Sequence, residues 1–171
     1  MNIDPFLAWL EATALSQWVV GSPSIAFGFP GILVLHAIGM GLAAGLSVAL
    51  DLRILGVARA IPLIQMRGYL PILWAGFWLN AGSGVLLLIG YPTKALTNPV
   101  FYLKLVLIAI GMTILVRVSR RVAAAAGRGE TDETLAAALK RMAVVSIVCW
   151  AGAVTAGRLL AYTYLRLTVA E

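Results

Sequence analysis

Four uninterrupted apolar stretches do most to limit what this chain can become. They run from about Ile25 to Leu50, Leu70 to Gly90, Val100 to Val116 and Met142 to Leu165, and a bilayer crossing needs about 20 mostly apolar residues. Lys104 and Arg158 are the only formal charges inside them. In hydrocarbon every backbone N–H and C=O must find a partner within its own segment, so such stretches become helices. Barrel strands would alternate in polarity along the chain, and these do not. The expected fold is all-α, a four-transmembrane-helix bundle. Composition agrees: 61% of residues are hydrophobic and 12% charged, where a soluble domain has about 25% charged.

The net charge of +6 does not point to nucleic acid. The basic residues fall in short segments between the apolar runs, the pattern of topology determinants. Arg53, Arg59 and Arg67 lie in the first connection, and Arg117, Arg120, Arg121, Arg128, Lys140 and Arg141 in the third. The second connection holds only Lys94, and the segment before Ile25 holds none. The first and third connections therefore face the cytoplasm and both termini face outward. Phe27, Phe29, Tyr91, Phe101, Tyr102, Tyr162 and Tyr164 cluster at the outward ends, where amphipathic rings favour the headgroup layer.

Residues 1–24 set Phe6, Trp9, Leu10 and Trp18 among polar neighbours, which predicts an amphipathic helix on the outer interface, opened by Pro5. Residues 25–171 form the membrane domain. The opening residues lack a basic stretch before an apolar one, so a cleavable leader is not expected, and no lipidation motif is seen. In the third connection Gly127 and Gly129 interrupt a helix and Thr131 caps the next, with Asp132 and Glu133 in its first turn. The third and fourth helices are expected to protrude there as a hairpin. The single cysteine, Cys149, lies in an apolar run, which excludes an intrachain disulfide or a CxxC metal site.

Two patterns run along the first span. Ala37, Gly41, Gly45 and Ala49 form a small-residue strip that lets another helix approach closely. His36, Met40, Ala44, Ser47 and Asp51 form a neighbouring, mildly polar stripe. Asp51 and Arg53 mark the cytoplasmic rim, with Arg117 or Arg120 as partners for the aspartate. His36, the only histidine, lies roughly 15 Å in from the outer surface at the helical rise. An interhelical hydrogen bond to Asn80 or Ser83 is its structural explanation. Lys104 and Arg158 share the outer half of the bilayer, with Tyr162 one turn beyond Arg158. No span offers a carboxylate at that depth, and intramembrane charges normally have a partner. Glu11 is the one nearby acid; otherwise the counter-charge comes from outside the chain. Snorkelling of Lys104 to the headgroups is the competing explanation.

At "LHAIGMGLAAGLSVALDLRILG", "LWAGFWLNAGSGVLL", "NPVFYLKL" and "WAGAVTAGRLLAY" the chain resembles an uncharacterised, domain-of-unknown-function family of small four-span bacterial inner-membrane proteins. The likeness covers about Phe29 to Tyr162. It implies that the positions of His36, Asp51, Arg53, Lys104 and Arg158 belong to a recurring pattern, and it places the chain in the bacterial inner membrane. More distantly the layout is similar to copper-resistance-D-type and cytochrome-b-like membrane bundles. A b-type haem bundle presents paired histidines, whereas this chain has one.

Three functional expectations follow. The first is a non-enzymatic membrane protein, homo-oligomeric or an accessory subunit of a larger complex. It would bind an anionic lipid or cofactor group through His36, Lys104 and Arg158, with Asn80 and Tyr162 alongside. The second is a small redox protein holding haem or quinone at the same residues. The third is an oligomeric small-anion channel or transporter. Hydrolytic catalysis is disfavoured, because the histidine has Ser47 or Ser83 near it but no acid at its depth. A metal site is equally poor: His36 and Met40 could join one only with ligands from elsewhere.

Overall fold

The structure, a computed structural model, describes residues 4–24 and 28–167. Ile25 and Phe27, expected at the outer end of the first span, lie outside the described residues. The described chain is all-helical, with α1 at Asp4–Glu11, α2 at Ala14–Gly21, α3 at Phe29–Leu55, α4 at Leu70–Gly90, α5 at Pro92–Leu96, α6 at Pro99–Ala126 and α7 at Asp132–Leu167. Among the described residues four helices are long and apolar enough to cross a membrane, within Phe29–Leu55, Leu63–Gly90, Pro99–Ala126 and Asp132–Leu160.

Local chemistry explains the element ends. Pro30 sits in the first turn of α3, where its missing N–H costs nothing. Gly56 ends α3 at φ 108°, a left-handed cap that L side chains rarely adopt. Asn98 caps α6 by accepting from the Val100 N–H at 2.9 Å. Thr13 caps α2 by accepting from the Ser16 N–H at 3.3 Å. That cap divides the N-terminal segment into two short helices, where the sequence predicts one.

Antiparallel α3 and α4 pack along each other, as do α6 and α7, and α3 joins the two pairs by packing on α7. The core runs along this seam through Ala43, Leu50, Ile54, Leu115, Val118, Ala143 and Trp150, with Trp74 and Phe77 of α4 packed against it. The α3–α4 crossing depends on two glycines. A Cβ on Gly39 would meet the Asn80 backbone nitrogen at 2.5 Å, and one on Gly76 would meet Leu42 Cβ at 2.5 Å. Of the two uses expected for the small-residue strip, packing within the bundle or between copies, the first is not made: Ala37, Gly41, Gly45 and Ala49 all face outward from the bundle. The N-terminal helices, expected to lie on an interface, pack against the bundle. Val19 of α2 is fully buried, against Gly90 at the end of α4.

The connections 56–69 and 127–131 lie at one end of the four long helices. Leu63–Tyr69 is a tight 3₁₀ stretch leading into α4. Asp51 does not pair with Arg117 or Arg120; it turns inward and is buried. Arg53, also buried, takes the ion pair instead, with Asp132 at the start of α7 at 2.9 Å. Its guanidinium further donates to the carbonyls of Ile61 and Arg59. Asp132 also accepts from the Leu63 N–H at 3.0 Å. One arginine thus ties α3, the following connection and α7 together. The expected α6–α7 hairpin is present, and Glu130 at its tip bridges Arg121 at 3.2 Å and Arg128 at 3.6 Å.

Candidate functional site

The polar stripe of α3 faces inward and supplies two separate clusters. At the first, His36 and Asn80 exchange hydrogen bonds across the α3–α4 crossing. The Asn80 side-chain amide donates to the His36 carbonyl at 2.7 Å. In return His36 Nδ1 lies 3.0 Å from the Asn80 carbonyl oxygen and 3.2 Å from Ser83 Oγ. That carbonyl can only accept. The Ser83 hydroxyl already donates to the Leu79 carbonyl at 2.6 Å. The ring proton therefore belongs on Nδ1, and the Nε2 lone pair points away from α4. Gly84 makes room for the ring, since a Cβ there would lie 3.1 Å from His36 Cε1.

Lys104 of α6 meets that lone pair. Its ammonium lies 3.4 Å from His36 Nε2, and a Cβ on Gly157 of α7 would sit 3.6 Å from Nζ. Four helices therefore converge here: α3 with the imidazole, α4 with the amide and hydroxyl, α6 with the ammonium, α7 with a gap. An ammonium has three N–H donors. Among the described residues only His36 takes one, and no carboxylate approaches. Glu11 is engaged elsewhere, accepting from the Thr93 hydroxyl of α5 at 2.6 Å.

His36, Asn80 and Lys104 are thus brought together, and both hydrogen-bond partners foreseen for the histidine are in place. Arg158 and Tyr162 are not part of the contact. Both are exposed on the outside of α7, with Arg158 one position beyond the glycine that accommodates Lys104. Tyr164 has no described side chain. Met40, one turn from His36, packs against the core cluster. No group of three or more His, Cys, Asp or Glu side chains able to hold a metal occurs among the described residues.

The second cluster lies further along the stripe. Trp150 of α7 donates its indole N–H to Ser47 Oγ at 2.8 Å, fully buried, with the ring against Gly111 of α6. One turn on, the Asp51 carboxyl and Ser146 hydroxyl face each other. Neither Asp51 Oδ2 nor Ser146 Oγ has a partner of regular hydrogen-bonding geometry. The role of α7 in this cluster was missed from sequence, though Ser146 and Trp150 stand four residues apart and so share a helix face.

Comparison with protein-family models, with curated proteins and with solved structures finds no match to this chain.

Proposed function

We propose that this chain is a multi-pass protein of the bacterial inner membrane, with both termini periplasmic, that binds an anionic lipid or cofactor group without catalysing a reaction. The observation that carries this reading is the Lys104 ammonium, whose one partner among the described residues is an imidazole lone pair 3.4 Å away. An imidazole lone pair accepts a hydrogen bond but carries no counter-charge. Among four apolar helices a cation is expensive without an opposite charge, and an anionic group entering from the outer leaflet supplies it. Arg158, exposed at the same level of α7, offers a second cation to a headgroup lying along that helix.

The redox alternative meets an obstacle at His36. One ring nitrogen faces Asn80 and the other faces Lys104, so ligating haem iron would require the Lys104 contact to break. A quinone carbonyl accepting from Lys104 would not.

Gentle purification followed by native mass spectrometry and an absorbance spectrum tests the reading. The wild-type chain is expected to retain an anionic species that Lys104→Met loses and Arg158→Gln holds less well. Unchanged retention in Lys104→Met overturns the proposal. A visible chromophore in the wild-type protein would replace the lipid with a redox group.

A further inference from the structure

At the arginine-rich end, opposite the His36 cluster, a cavity of about 350 Å³ opens between the end of α3, the connection after it and the start of α7. Its charged lining residues are Arg53, Arg59, Asp132, Glu133 and Lys140, beside the apolar Ile54. Arg53 and Asp132 neutralise each other at 2.9 Å. Arg59, Glu133 and Lys140 form no ion pair among the described residues. Arg59 is held over the left-handed Gly56, where a Cβ would come within 3.1 Å of its guanidinium. Glu133 and Lys140 project from one side of α7, two turns and roughly 10 Å apart at the helical rise.

The cavity therefore offers two cations and one carboxylate, the carboxylate two turns along α7 from Lys140. A simple anion would satisfy the cations but meet Glu133. A group carrying a phosphate and an ammonium satisfies all three. The surroundings indicate where such a group comes from. Val57, Ile61 and Ile64, on the connection beside the cavity, are 54%, 42% and 40% exposed. Apolar side chains of that kind favour the boundary between headgroups and acyl chains.

The geometry points to a binding site for the phosphoethanolamine headgroup of a membrane lipid, with the phosphate between Arg59 and Lys140 and the ammonium at Glu133. This rests on the membrane reading of the four helices and is independent of the Lys104 site.

The test is competition between phosphatidylethanolamine and phosphatidylglycerol for the full-length protein, read by native mass spectrometry. The wild-type chain is expected to prefer phosphatidylethanolamine. Glu133→Gln should shift that preference about tenfold towards phosphatidylglycerol, and Arg59→Gln with Lys140→Gln should weaken retention of both by about tenfold, the scale of one charge-assisted hydrogen bond. All three residues are at the surface, so the variants should fold. Run in Lys104→Met, which removes the proposed anionic-lipid site, the competition should still favour phosphatidylethanolamine and respond to Glu133→Gln, which separates a failure here from a failure of the proposed function. Absence of a wild-type preference, or its persistence in Glu133→Gln, overturns the assignment. Soluble phosphoethanolamine binding as tightly as the lipid would overturn the membrane source.

Discussion

At the scale of single residues, glycines decide where this bundle can close. Gly39 lies against the backbone of α4, so Gly39→Ala places a methyl where only backbone could yield. Overpacking of this kind costs about 1–3 kcal/mol, and the loss should appear as a lower unfolding midpoint in detergent. Gly41→Ala, with nothing within 4 Å of the added carbon, should change that midpoint little. The two positions are indistinguishable by composition. From sequence, the repeat of Ala37, Gly41, Gly45 and Ala49 looked like the gripped face, because small residues at every fourth position mark close helix approach. The actual contact uses Gly39, which heads a parallel small-residue series with Ala43 and Ser47 on α3, and Gly76 of α4. Which face turns inward depends on the partner helix, and a single helix does not encode that. His36 was easier to read: set in an apolar run, it needed polar partners, and Asn80 and Ser83 were the nearest at matching depth.

At the scale of elements, α3 ends and α7 begins where polar side chains capture the backbone of the 56–63 connection. Asp132 holds Arg53 and the Leu63 N–H together. Asp132→Asn removes the charge from this tie and leaves a buried guanidinium without its counter-ion. A loss of about 1–3 kcal/mol is expected for the paired charge, because the Asp132 side chain is itself 41% exposed. Hydrogen exchange should quicken first in the 56–63 connection and the opening turn of α7. The four long apolar helices and the α6–α7 hairpin were legible because hydrophobic length and paired glycines are local signals. The Arg53–Asp132 bridge was not, since its partners stand 79 residues apart and several nearer charges competed for each of them. The same distance problem hid the pairing of Ser47 with Trp150.

At the scale of the whole molecule, the distribution of basic residues predicts an orientation that labelling can read. Cys149 is the only cysteine, and it is buried, so a cysteine introduced at Arg128 can be labelled against little background. Impermeant reagent should reach it only from the cytoplasmic side; labelling from the periplasm would reverse the proposed topology. The outward-facing small strip of α3 makes a further prediction. If copies associate through it, Gly41→Leu with Gly45→Leu should lower the oligomeric state seen by cross-linking and leave the monomer folded. An unchanged state would remove this face from the interface.

The reciprocal exchange between His36 and Asn80 involves only α3 and α4. A ribosome that has delivered the first two spans has already supplied every atom of it. The imidazole can be oriented while the later half of the chain is still being made, and the ammonium of α6 then arrives at a prepared receptor. The acceptor is set before its cation.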